Sequence, residues 1–404
     1  MSRLIVIGGG AAGFFLAVNA ARMHPGLKVT ILEKSNKLLS KVKISGGGRC
    51  NVTHQASDIA EMIECYPRGK HFVKKAFHQF FCKDTIEWFE QRGVKLKTEA
   101  DGRMFPVTDS SQTIIDCLLR EASKYEVNIL LHAEVKALRH DDGKFLVELK
   151  DGREYSSDKL AIACGGYPKP DMFDWLKASG HQVEEPCPSL FSFNLPGHHI
   201  TQLMGLSVEN VLVRVPGSKL QQQGPVLITH WGLSGPAILR LSAWGARELK
   251  EKNWHFPLRV NWVNKTENQL MEEFEKRRRT EAGKKIASKN ELGLPQRLWD
   301  LLLAEAGIKQ DLRWADLPAA QRNKLIQLCC QHEFLVKGKT TFKEEFVTAG
   351  GIKLQEVDPQ TMMSRKINGL FFAGEILDVD GITGGYNFQH AWTSGYIAAL
   401  HIMG

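Results

Sequence analysis

Apolar and polar positions recur along the chain with two different periods, and the places where the period changes outline its elements. Residues 3–7 (RLIVI) are an apolar run that stops at three consecutive glycines, Gly8, Gly9 and Gly10. This pattern predicts a buried strand, a tight turn and a helix through about residue 22. Residues 28–32 (KVTIL) predict a second strand ending at Glu33. Strand, helix and strand at this spacing open a doubly wound parallel sheet.

Further along, Phe72, Ala76, Phe77, Phe80, Phe81, Ile86 and Phe89 fall at helical spacing. They predict one core-facing helix over 71–92, and residues 111–125 predict another. From about 128 to 163 the period shortens to two. Asp142 with Gly143, and Asp151 with Gly152, divide that stretch into strands of a meander that runs into Gly165 and Gly166. Residues 186–265 hold Pro-punctuated strands such as LSVENVLVRV and PLRVNWV, which predict a mostly β insertion. Residues 266–334 turn helical, charged and Leu-rich. Glycine-rich strand and turn signals return after Phe342, and a last helix is predicted over about 386–402.

Composition narrows the class. With 404 residues, 43% hydrophobic and 24% charged, the chain has material for two or three packed domains and is not disordered. Its eight cysteines show no C-x-x-C spacing, and Cys329 and Cys330 are adjacent. Reduced thiols in a cytoplasmic protein are expected, rather than a disulfide framework or a zinc ribbon. The stretch between Arg3 and Arg22 carries no charge and is long enough to suggest a membrane span or a signal peptide. Gly8, Gly9, Gly10 and Gly13 punctuate it, so no membrane partner is expected. Of the net charge of +8, residues 276–289 contribute +6, from Lys276, Arg277, Arg278, Arg279, Lys284, Lys285 and Lys289 against Glu281. That run reads as a solvated helix face, with an RNA-binding or membrane-surface patch as the alternative.

The chemistry concentrates in three places. Gly8-x-Gly10-x-x-Gly13 lies between predicted strand and helix, with Glu33 at the end of the next strand. The first glycine permits the turn, the second lets backbone approach a pyrophosphate, and the third packs helix on strand. Glu33 can accept hydrogen bonds from ribose hydroxyls. This motif serves FAD or NAD. The second place, KVKISGGGRCN (41–51), offers flexible amides and the cations Lys41 and Arg49 along the path from pyrophosphate to ring. The third is 369–395, GLFFAGEILDVDGITGGYNFQHAWTSG, a strand reaching Gly374 and Glu375, acceptors at Asp378 and Asp380, and a helix opened by Gly384, Gly385, Tyr386 and Asn387. A helix N-terminus there would stabilise negative charge on a reduced flavin.

These residues resemble the BaiN/RdsA family of bacterial FAD-dependent oxidoreductases, within the glutathione-reductase type of flavoprotein. The resemblance is carried by GGGAAG, ISGGGRCNVT, GRMFPVTDSS, THWGLSGPAI, VTAGGIKLQEVDPQTM and GLFFAGEILDVDGITGGYNFQHAW, nearly the length of the chain. It implies an α/β fold, in which a Rossmann-type FAD-binding domain of parallel sheet and β-meander carries a β-barrel-like insertion and a small helical subdomain. The corresponding divisions are 1–188 with 338–404, 189–265 with 335–345 as a candidate addition, and 266–334. The resemblance also implies that Ala12, Glu33, Lys34, Lys41, Gly47, Arg49, Asn51, Val135, Glu375, Asp378, Gly385, Tyr386 and Asn387 lie on or near the cofactor. Leu39 and Ser40 replace the family's Gly-Arg before Lys41, and the segment after Gly166 is shortened.

Weaker signals lie beside these. Gly232-Leu-Ser234-Gly-Pro236 suggests a helix cap at Ser234 rather than a hydrolase elbow. His230 and Trp231 could face substrate or simply pack. Cys50 reads as packing rather than a redox thiol, and His198, His199 and His390 lack metal-ligand company. The function expected is hydride transfer between flavin N5 and an organic substrate or transient NAD(P)H, with a small-molecule substrate and no assignable catalytic base. The alternatives are a flavin-containing RNA-associated protein using 276–289 and a flavin-binding scaffold without turnover.

Overall fold

The computed structural model describes residues 1–288, 290–340 and 347–404. Lys289 of the basic run and residues 341–345 of the candidate addition therefore lie outside the described residues. The chain divides into two compact units, one of residues 1–189 and 342–404, the other of residues 190–341.

In the first unit the predicted opening is present as the strand Arg3–Ile7, the helix Ala11–Met23 and the strand Lys28–Leu32. They belong to a five-stranded sheet in which every neighbouring pair is parallel. Its order is Leu370–Phe372, Lys159–Ile162, Arg3–Ile7, Lys28–Leu32 and Asn128–Leu130. The uncharged N-terminal stretch thus spans a strand and a helix, and residues 12–20 of that helix are buried throughout. A helix apolar on all sides must be covered on all sides, and the terminal helix Tyr386–His401 packs against it. Among the described residues no helix is long and apolar enough to cross a membrane.

Two expectations change here. The meander exists as Val135–Asp141, Lys144–Leu149 and Glu154–Ser157, but the outer pieces of 128–163 leave it and join the parallel sheet. The helix expected over 71–92 is two, Lys70–Phe77 and Cys82–Glu90. The break has a local cause: the backbone N–H of Phe81 donates to Asp84 Oδ2 at 2.7 Å, so Asp84 starts a new helix where the apolar spacing alone would continue the old one.

The second unit is built on a seven-stranded antiparallel sheet, ordered His332–Lys337, His255–Asn261, Ser207–Arg214, Gln221–Ile228, Gly232–Ser234, Ser192–Asn194 and Lys339–Thr340. The first and last strands in that order are joined in the chain through Gly338, so the sheet curls back on itself. Three helices, Glu267–Thr280, Gln296–Glu305 and Ala319–Cys330, share one apolar core with it, in which Leu270, Leu298, Trp299 and Leu325 join Val213, Leu258 and Val260. Residues 190–265 are less uniformly β than expected, because Pro236–Trp244 and Ala246–Glu251 are helices. Ser234 is not a cap. It ends a short strand and accepts a hydrogen bond from Ser192 Oγ at 2.7 Å, and Gly235 occupies the cap position.

Candidate cofactor site

The glycine motif does what its spacing requires. A Cβ on Gly13 would lie 1.9 Å from the Gly8 carbonyl oxygen, and one on Gly8 would lie 2.4 Å from the Ala163 oxygen. Helix, turn and neighbouring strand therefore touch backbone to backbone. A Cβ on Gly10 would meet nothing within 4 Å. Gly10 caps the helix Ala11–Met23, whose N-terminus has no side-chain cap and no acidic residue in its first turn. Open space at an uncapped helix start suits a pyrophosphate.

Glu33 follows the second strand. Its Oε2 accepts from the Gly9 amide at 2.9 Å, and its Oε1 from Ser35 N and Oγ at 2.9 and 2.8 Å. The carboxylate is thereby held at the strand end beside the motif. The Ala133 amide donates to the Glu33 carbonyl at 2.8 Å, which brings the half-buried start of Val135–Asp141 alongside. Lys34 lies 5.9 Å from the centroid of the Tyr167 ring.

The distant stretches meet this motif. A Cβ on Gly374 would stand 2.7 Å from that of Ala12, and one on Gly395 would stand 2.9 Å from the Ala12 carbonyl oxygen. Lys41 Nζ pairs with Glu375 Oε2 at 2.6 Å, and the other oxygen of that carboxylate accepts from the Thr348 amide at 2.8 Å. In the amide orientation that satisfies both ends, Asn51 donates to the Thr53 carbonyl at 3.0 Å and accepts from Gly385 N at 2.9 Å. Asp378 Oδ1 accepts from Gly350 N at 3.0 Å. Asn387 both accepts from Gly381 N and donates to Gly381 O, each at 2.8 Å. Tyr386 stacks on His54 with ring centroids 4.8 Å apart.

Residues 46–48 fall within a nominal helix, Ser40–Gly48, that breaks at Ser45, Gly46 and Gly47, so Gly47 stands in a kink rather than a free loop. Arg49 turns toward a small sheet. Its guanidinium is 4.0 Å from the Phe105 ring centroid and 2.6 Å from Glu99 Oε1.

Ser394 and Thr348 are site residues that carry no individual signal in the sequence. Ser394 Oγ accepts from Gly374 N at 2.8 Å and fixes the glycine turn. Asp380 is fully buried, ion-paired with Arg68 and hydrogen-bonded by Ser189 Oγ at 2.8 Å. Thr348 was legible only as part of VTAGGI. His390 donates from Nε2 to the Gly374 carbonyl at 3.2 Å, and burial pushes its pKa down to about 4, so it is a neutral strut at neutral pH. Burial raises the Cys50 thiol to about 12, which makes it a packing residue. Among the described residues no cluster of His, Cys, Asp and Glu could hold a metal ion.

The basic run departs from the expected solvated face. Arg277 does not lie on a solvated face. It is buried, pairs with Glu273 at 2.9 Å and Glu291 at 3.4 Å, and sits 5.7 Å from the Trp314 ring centroid. Lys276, Arg278, Arg279, Lys284 and Lys285 are exposed.

A glycine turn between strand and uncapped helix, with an acidic residue at the next strand end, defines a dinucleotide-binding protein of the Rossmann type. The chain belongs to the family described as HI0933-like protein Rossmann domain, which matches residues 2–401, and it is an FAD-dependent oxidoreductase. It is 29% identical to the 3-dehydro-bile acid delta(4,6)-reductase of Clostridium scindens over 98% of each chain. It is 30% identical to the ribosomal RNA dihydrouridine synthase of Haemophilus influenzae, over 99% of this chain and 98% of that one. Among solved structures, the 3-ketosteroid-delta4-(5alpha)-dehydrogenase of Rhodococcus jostii RHA1 shares the fold with a TM-score of 0.52 at 13% identity, covering 98% of this chain and 97% of that one.

Proposed function

We propose that the chain transfers hydride between flavin N5 and NAD(P)H on one side and an organic substrate on the other, and that the substrate bears a C=C bond conjugated to a carbonyl. The observation that carries the hydride-transfer reading is the seating of Gly374 on Ala12, with Lys41 on Glu375, which joins both ends of the chain around one nucleotide motif. The substrate class rests on the relatives. One is named as a delta(4,6)-reductase and the other for making dihydrouridine, and both names denote saturation of such a bond.

The residues present fit FAD. Gly10 and the start of the helix Ala11–Met23 would receive the pyrophosphate, and Glu33 the ribose hydroxyls. Lys34, Lys41, Gly47, Arg49, Asn51, Val135, Glu375 and Asp378 would line its length. The terminal helix, opened by Gly385, Tyr386 and Asn387, has no acidic residue in its first turn and favours negative charge before its N-terminus. When bound, the flavin supplies the two-electron chemistry.

The test is anaerobic. NADH or NADPH is expected to bleach the yellow absorbance, and a conjugated enone to restore it while gaining two hydrogens. Failure of every enone, steroid or uracil-type, to restore colour would sink the substrate assignment. Bleaching by an amine instead would reverse the direction of the reaction.

A further inference from the structure

Two buried polar atoms without a hydrogen-bond partner flank the turn at Gly374 and Glu375, namely Thr348 Oγ1 and His390 Nδ1. His390 already spends its other nitrogen on the Gly374 carbonyl. The Thr348 hydroxyl makes no hydrogen bond at all, although the residue is fully buried on the strand Val347–Ile352. Buried hydroxyls are nearly always satisfied, because leaving one unpaired costs free energy that water would otherwise have supplied.

The surroundings of this hydroxyl belong to the cofactor site. The Thr348 amide is fixed to Glu375 Oε1 at 2.8 Å, on the carboxylate whose other oxygen holds Lys41. Gly166 is just past the carboxyl end of the strand Lys159–Ile162, the side of a parallel sheet on which ligands bind. A Cβ there would come within 2.7 Å of Thr348 Oγ1 and 3.0 Å of Glu375 Oε1. Threonine, glycine and glutamate thus pack closely while the hydroxyl stays unpaired.

We propose that Thr348 is a cofactor-binding residue whose hydroxyl hydrogen-bonds the flavin nucleotide. This rests on the flavin reading above. Thr348→Val keeps the side-chain shape and removes the hydroxyl, and Thr348→Ser keeps the hydroxyl. The flavin-free proteins are melted and then titrated with FAD, following the quenching of flavin fluorescence. Flavin-free T348V is expected to melt at or above the wild-type temperature, since it sheds an unpaired polar group, yet to bind FAD about tenfold more weakly. T348S is expected to stay within about twofold of wild type.

Unchanged FAD affinity in T348V overturns the proposal and leaves the flavin reading standing. Melting of flavin-free T348V below wild type also overturns it, because the hydroxyl would then already have a partner such as water. Refusal of FAD by the wild type itself would overturn the flavin reading.

Discussion

The glycines at 8–13 and the cations at 276–285 are both dense local signals, and their surroundings differ in kind. Each of three glycines at 8–13 answers to fixed backbone or to open space: Gly8 to Ala163, Gly13 to Gly8, Gly10 to nothing within 4 Å. The cations answer to no common partner. Arg277 is buried against Glu273 and Glu291, while its neighbours Lys276 and Arg278 face solvent. A helix turns about 100° per residue, so adjacent positions can have opposite fates. A steric signal fixes each position separately, whereas a run of charge leaves the orientation of each member open.

The largest effect expected from that contrast is at Gly13. Gly13→Val would drive a side chain into the Gly8 carbonyl and should destabilise the first unit by more than about 4 kcal/mol, read as loss of soluble protein. Gly10→Val should instead fold, with a melting temperature close to wild type, because its side chain enters empty space. It should emerge colourless, since that space is assigned to the pyrophosphate; full flavin content would contradict the assignment. In the basic run, Arg277→Ala strips a buried pair and should cost about 3 kcal/mol by denaturant unfolding. Exchanging Arg278 and Arg279 for Gln should change stability by less than about 0.5 kcal/mol and leave flavin content unaltered. The same double variant probes the RNA alternative: RNA retention at low salt that it fails to weaken would remove these exposed cations from that role.

What could be read from residues alone follows the same division. Strand, turn and helix at 3–23 were legible because period and glycine spacing are local, and so were Glu33 and Glu375 at strand ends. Alternation alone places the outer pieces of 128–163 in the meander, because their true partners, Lys28–Leu32 and Arg3–Ile7, are far away in the chain. Asp84, not a change in apolar spacing, divides 71–92. Thr348 is not legible in the sequence because an unpaired hydroxyl is defined by what surrounds it, nor is the burial of Arg277, because a charge run does not say which of its members faces inward.

The seating of Gly374 and Gly395 on Ala12 also bears on biosynthesis. The helix Ala11–Met23 is buried over residues 12–20, and part of its cover is Tyr386–His401, made more than three hundred residues later. During translation this helix therefore lacks that part of its cover until the later segment emerges. Loading with the yellow cofactor accordingly belongs after synthesis of the terminal helix, and a prematurely stopped chain would expose a sticky helix rather than a weakened enzyme.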